Sequence, residues 1–109
     1  MDIIRKWTTP TQSFIIDDVD LTSADVYVTF KQGENDYTFS GDDLTVTYDG
    51  TNTTISVALE ESFTGGLEEG IVAVQINWRT EGQRDATFIE YIKVMPNLMG
   101  EIAEEAEVL

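Results

Sequence analysis

The sequence contains no cysteine and no histidine among its 109 residues. Without cysteine there is neither a disulfide framework nor a thiolate metal site, and without histidine the commonest general base is missing. Serine and threonine are abundant, but none has a plausible base beside it. A pair of carboxylates across a cleft is the remaining route to hydrolysis, and a domain this small has little room for such a cleft. The composition therefore predicts a protein without enzymatic activity, cofactor or small-molecule substrate.

Basic residues are also scarce, since six lysines and arginines stand against 21 acidic residues and the net charge is −15. Phosphate binding needs clustered Lys and Arg, so nucleic acid is not an expected partner. The ordinary interpretation is an acidic surface that keeps the free protein soluble before assembly. An acidic mimic of DNA that inhibits a nuclease is the sharper alternative, although the acidic residues are scattered through turns.

Long apolar runs are absent as well. No stretch approaches the ~20 apolar residues of a membrane span. The first residues, Met1–Trp7, lack the apolar run of about 7–15 residues that a signal peptide carries. We therefore expect neither a transmembrane segment nor secretion by a leader. The length of 109 residues and the hydrophobic content of 41% indicate one globular domain.

Alternation of apolar and polar residues runs through most of the chain, as expected of strands with one buried face. Seven or eight short strands are separated by turn residues such as Asp49-Gly50. The connection 60–70 is long for a hairpin, so it is predicted to cross between two sheets, held by Phe63 and Leu67. No interior helix is predicted. The fold class is all-β, an immunoglobulin-like antiparallel β-sandwich over residues 1–96, with a small closed barrel as the alternative.

The central element of this sandwich is predicted to be a hairpin over Ile71–Val94, turning at Glu81-Gly82. Its first strand alternates in the manner of a half-buried strand. Its second strand, Thr87–Val94, carries apolar residues on both faces, because Ile89 and Tyr91 lie opposite a second apolar set. Either both faces are buried, or the face with Ile89 and Tyr91 is an exposed contact patch.

Three residues beside the turn are candidates for the same contact surface. Trp78, Arg79 and Arg84 are of the types that anchor protein interfaces. The alternative is a tryptophan in the core and arginines in ion pairs. With Ile89 and Tyr91, these residues form the candidate interface of the domain.

Residues 97–109 differ from the rest and are predicted to form an acidic C-terminal arm, helical or extended. Leu98, Ile102, Ala106 and Leu109 recur at steps of four, four and three, which places them on one stripe of a helix. We expect Leu98, Ile102 and Leu109 to dock on their own domain or on a neighbouring subunit. A frayed acidic tail is the alternative.

Two groups of aspartates resemble parts of calcium-binding loops: Asp17, Asp18 and Asp20, and Asp42, Asp43 and Asp49. Calcium requires six to eight oxygen ligands, and the spacing of an EF-hand is missing. Turns in which an Asp side chain accepts a nearby backbone N–H explain both groups, so no metal site is predicted.

Several stretches resemble small structural proteins of tailed phages and prophages of Gram-positive hosts. The opening IIRKWTTPTQSF is similar to their "I-x-R-G-T-T-P-T" opening, and the likeness continues in ADVYVTFKQG, TTISVALEESF and INWRTEGQRDATF. Leu21–Thr29 is similar to the "L-T-x-A-x-V-x-V-T" strand in the N-terminal immunoglobulin-like domain of phage baseplate upper proteins. The sequence departs at Lys6-Trp7, where Arg-Gly is expected, and so loses a flexible position.

This resemblance implies a virion structural protein without enzymatic activity, made in the host cytoplasm and associated with the tail or baseplate. It implies other virion proteins and further copies of the chain as partners, and it transfers no catalytic or ligand residue. Capsid decoration or another head-associated role is the alternative within this class. A module that binds carbohydrate or a host surface is a separate alternative, and it requires an exposed platform from aromatic residues: Trp7, Trp78, Tyr37 or Tyr48.

Overall fold

The computed structural model describes residues 2–87 and 89–100. Within these residues the chain forms nine strands and one short α-helix. In chain order they are β1 (Asp2–Arg5), β2 (Thr11–Ile16), β3 (Asp25–Gln32), β4 (Asn35–Ser40), β5 (Leu44–Tyr48), β6 (Thr53–Ala58), α1 (Glu61–Gly66), β7 (Gly70–Thr80), β8 (Gln83–Ala86) and β9 (Glu90–Met95). A single 3-10 turn, Gly41–Asp43, leads into β5.

The strands form the two sheets of a sandwich, as predicted. The large sheet has the order β1-β9-β7-β3-β4, with β8 also paired to β7, and the small sheet has the order β2-β6-β5. The described part of the chain holds nine strands, more than the seven or eight predicted.

The large sheet is mixed, whereas a purely antiparallel sandwich was predicted. β1 pairs in parallel with β9, with Ile4 opposite Val94, and the other strand pairs are antiparallel. The reason is the crossing at Thr8–Pro10, which carries the chain from one sheet to the other. Because β1 and β2 belong to different sheets, they form no hairpin, and β1 is free to add to the edge of β9.

Alternating burial along the strands builds one hydrophobic core between the sheets. In β3 the buried residues are Val26, Val28 and Phe30, and their partners on β7 face the same core. In β6 the buried Ile55 and Val57 supply the facing side. Every second residue of these strands therefore points away from the core, and this pattern fixes which residues the outer surfaces carry.

The connection between the small and the large sheet runs through α1, a helix that was not predicted. Phe63 packs against the core from this helix, and Leu67 is buried directly after it, so the predicted crossing is confirmed. A helix of six residues is too short to show a helical period, and it contains Gly65-Gly66, which disfavour helices. No helix in residues 2–87 and 89–100 has the length and apolar character needed to cross a membrane.

A buried threonine fixes the loop that joins β2 to β3. The Thr53 hydroxyl donates a hydrogen bond to the Val19 carbonyl oxygen at 2.6 Å and accepts one from the Leu21 backbone N–H at 3.0 Å. Thr53 and Leu21 are both fully buried, so water does not substitute easily for either bond.

Replacing Thr53 with valine is expected to lower the free energy of unfolding by about 2 kcal/mol, because the buried Leu21 N–H and the part-buried Val19 carbonyl oxygen both lose their partner. Urea denaturation measures the change. Thr53→Ser keeps the hydroxyl and removes one methyl, so it should cost only about 1 kcal/mol. A valine variant as stable as the parent protein would show that the two bonds carry no net stabilisation.

Candidate docking face on the large sheet

A one-residue irregularity separates β8 from β9 along their common neighbour β7. Ala86 pairs with Asn77, whereas Glu90 pairs with Val74. Four steps from Ala86 to Glu90 therefore match three steps from Asn77 to Val74, and this one extra residue between β8 and β9 is the pattern of a β-bulge. The predicted second strand corresponds to β9, which begins at Glu90 and not at Thr87, and β8 before it was not predicted.

The bulge reverses the side-chain parity between β8 and β9. Thr87 holds it in place, since its N–H donates to the Ile76 carbonyl oxygen at 2.9 Å and its Oγ1 accepts from the Ile76 N–H at 3.1 Å. In a regular strand, Arg84 would point to the opposite face from Tyr91, seven positions further on. With the extra residue, Arg84 pairs with Arg79 and lies on the same outer face as Tyr91.

The outer face of the large sheet, which we call the docking face, gathers most of the positive charge of the chain. Strand register places five of the six basic residues on it, all of them exposed: Arg5, Lys31, Arg79, Arg84 and Lys93. In the strands of this face, the register places only two acidic residues among them, Asp25 and Asp36. A protein with a net charge of −15 therefore presents one basic surface.

The half of the docking face nearest β1 is apolar. Ile3 and Ile71 flank Lys93 in one row across the sheet, and Tyr91 lies beside Ala73 in the next row. Ile71 is 49% exposed, Tyr91 53% and Ile3 56%. Because neighbouring strands lie about 4.8 Å apart, these side chains form one continuous patch. This face of the second strand is therefore exposed and not buried, and that it makes a contact stays a prediction.

Ile89 adds to this patch from the bulge. It is 50% exposed and lines a shallow depression with Ala73, Gln75 and the stem of Lys31. Large apolar side chains that remain exposed side by side are uncommon on a monomer and mark contact surfaces. Ile89 and Tyr91 therefore lie together, as the candidate interface requires.

The other half of the docking face is an arginine corner. Arg79 and Arg84 are exposed there and line a shallow depression with Tyr27 and Asn77. An Nη2 of Arg84 donates to Asn77 Oδ1 at 3.4 Å. Trp78, the third residue predicted at this corner, is partly buried: it packs against the core and also lines this depression. The two arginines are the exposed part of the corner.

The first residues of the predicted C-terminal arm form a turn. The Gly100 N–H donates to the Asn97 carbonyl oxygen at 3.1 Å, and Asn97 Nδ2 donates to the Lys6 carbonyl oxygen at 3.1 Å. Leu98 is fully exposed at the tip of this turn. The predictions for Ile102 and Leu109 lie outside the described residues.

Local hydrogen bonds account for two of the aspartates in the calcium-like groups. The Thr22 hydroxyl, at 2.6 Å, and the Thr22 N–H lower the pKa of the Asp20 carboxyl. The Asn52 N–H, at 2.8 Å, and the Thr51 N–H lower the pKa of Asp49 in the same way. Among residues 2–87 and 89–100, no three His, Cys, Asp or Glu side chains are grouped so that they could hold a metal ion.

The aromatic residues considered for a sugar platform do not lie together. Trp7 packs on α1, and Tyr37 and Trp78 pack against the core from the large sheet. Tyr48 is 40% exposed but belongs to the small sheet. A flat aromatic surface for stacking against a sugar ring is not formed by these four residues.

The sequence matches no known protein family, and a search of curated proteins finds no relative. The docking face is therefore the feature from which a function can be argued.

Proposed function

We propose that the protein is a non-enzymatic structural component of a tailed-phage virion, associated with the tail or baseplate, and that it assembles through its docking face. The observation that carries this proposal is the composition of that face. Half-exposed isoleucines and a tyrosine share it with five of the six basic residues of a strongly acidic chain.

The chemistry of the docking face favours another protein as the partner. An apolar centre with charged residues around it, enriched in Arg and Tyr, is the usual anatomy of a protein interface. The net charge of −15 repels a long polyanion such as DNA. A partner with an acidic and partly apolar surface complements the face in both respects.

The resemblance to structural proteins of tailed phages is the reason for proposing the tail or baseplate as the place of assembly. The "TTPT" opening and the Leu21–Thr29 strand both lie in the sandwich, at the crossing before β2 and at the entry to β3. The likeness therefore concerns the domain that presents the docking face. It supports a virion role, with the tail or baseplate first and capsid decoration as the alternative.

The proposal can be tested in the phage or prophage that carries the gene. Tagged protein is expressed during phage growth, particles are purified on a density gradient, and the tag is located by immunogold electron microscopy. We expect the label at the tail or baseplate, and we expect Ile71→Glu/Tyr91→Glu to reduce incorporation at least ~10-fold because two central contact residues are lost.

Thr45→Glu is the matched control, because Thr45 is exposed on the outer face of the small sheet. It adds an acidic residue without touching the docking face and should leave incorporation unchanged. Thermal unfolding of each variant verifies that the domain still folds. Label on the head would replace the tail with capsid decoration, and particles free of the parent protein would refute a virion role.

A further inference from the structure

The chain leaves the domain beside β1 with apolar side chains uncovered. Arg5 donates to the Pro96 carbonyl oxygen at 3.4 Å, and Asn97 donates to that of Lys6, so residues 96 and 97 are fixed to the end of β1. Leu98 and Met99 follow, and they are 105% and 70% exposed. The described residues therefore leave both side chains uncovered.

The sequence of residues 101–109 complements the docking face. Glu101, Glu104, Glu105 and Glu107 alternate there with the apolar positions that continue from Leu98. The docking face offers the reverse, with exposed Lys31 and Lys93 set among isoleucine and tyrosine side chains. Opposite charges and matching apolar positions are the conditions for a specific contact between two such surfaces.

From this complementarity we infer that the docking face of one copy binds the segment 97–109 of a neighbouring copy. The inference rests on the proposed assembly function and names the partner of the docking face as a second copy of this chain. The donating segment and the accepting face are different surfaces, so the contact joins one copy to the next: it closes as a two-copy exchange or a ring, or continues as a helical stack.

The absence of cysteine allows a direct test with the whole 109-residue chain. A tagged Ala106→Cys variant and an untagged Ala73→Cys variant are mixed in a glutathione redox buffer and separated on non-reducing gels. Ala73 lies on the docking face between Tyr91 and Lys31, so we expect a disulfide-linked heterodimer. Thr45→Cys on the small sheet is the matched control and should give at least ~5-fold less heterodimer, because nothing brings the segment to that face.

A charge exchange separates a specific contact from a chance collision. Lys31→Glu/Lys93→Glu, added to the Ala73→Cys chain, should reduce the heterodimer at least ~5-fold, because two favourable charge pairs become repulsive. Glu104→Lys/Glu105→Lys on the Ala106→Cys chain should restore the yield. Recovery by the second exchange cannot arise from a loss of folding in the first.

Two outcomes would overturn the inference. If the double variant Ala73→Cys/Ala106→Cys closes within single chains and the mixture gives no heterodimer, the segment belongs to its own domain. If the mixture gives no more heterodimer with Ala73→Cys than with Thr45→Cys, the segment does not bind the docking face. In both cases particles that still contain the protein would leave the proposed virion function standing, whereas particles without it would refute that function separately.

Discussion

Replacing Phe63 with alanine is expected to lower the free energy of unfolding by about 3 kcal/mol, the cost of removing a well-packed phenyl ring. Phe63 stands on α1 and meets three rings edge to face. Its centroid lies 5.6 Å from that of Phe30 and 5.2 Å from those of Tyr37 and Phe39. These partners belong to β3 and β4 of the large sheet, so Phe63 joins the connection from the small sheet to the strands behind the docking face.

Urea denaturation of the Phe63 variants measures this contribution. Phe63→Leu retains most of the apolar volume but loses the edge-to-face geometry, so it should cost about 1 kcal/mol. A double-mutant cycle with Tyr37→Ala should reveal a coupling of about 1 kcal/mol between the two rings. A cost below about 1 kcal/mol for Phe63→Ala would place the ring outside the cooperative core.

Much of the fold follows from patterns that a single strand carries within itself. The alternation of apolar and polar residues predicted strands with one buried face, as β3 has with Val26, Val28 and Phe30, and Asp49-Gly50 predicted the turn between β5 and β6. The crossing over 60–70 followed from its length and two apolar residues. The parallel pairing of β1 with β9 could not be predicted in this way, because it joins the two most distant strands of the sequence.

Of the five candidate interface residues in the sandwich, the structure leaves four exposed, and that they form an interface stays a prediction. Arg79, Arg84, Ile89 and Tyr91 are all exposed as an interface requires, but Trp78 faces the core. The gathering of the basic residues on one face was missed, because they are far apart in the sequence.

The alternation of buried and exposed residues within single strands could have shown that some of these basic residues face outward. Lys31 and Lys93 each occupy a position that alternates with buried residues of the same strand, so both were assignable to an outer surface. Which outer surface they share depends on strand order, and strand order is decided by packing between sheets. For Arg84, counting alternate residues back from Tyr91 predicts the wrong face of the sheet, because the bulge adds one residue between them.

A second large loss of stability is expected on substitution of Gly65, which lies directly beneath the Trp7 ring. A Cβ at Gly65 would overlap the six-membered part of that ring. Gly65→Ala is therefore expected to lower the free energy of unfolding by about 2–3 kcal/mol, because the ring must move out of its site. In an ordinary helix the same change would be neutral or would stabilise the protein by up to about 1 kcal/mol.

The backbone conformation of Trp7 allows a second test of this packing. Trp7 has φ 64°, a left-handed conformation that costs a bulky residue about 1–2 kcal/mol and costs glycine almost nothing. Trp7→Gly and Trp7→Ala both remove the ring, but only the glycine variant removes the strain. We therefore expect Trp7→Gly to be more stable than Trp7→Ala by about 1 kcal/mol in urea denaturation.

Combining the changes should reverse the sign of the Gly65 effect. In the Trp7→Gly background the space above Gly65 is open, so Gly65→Ala should become neutral or stabilising by up to about 1 kcal/mol. Equal costs in both backgrounds would show that the ring is not the obstacle. The left-handed backbone at Trp7 favours glycine. The packing of the Trp7 ring on α1 offsets the strain of its backbone. This packing is possible only because Gly65 has no side chain.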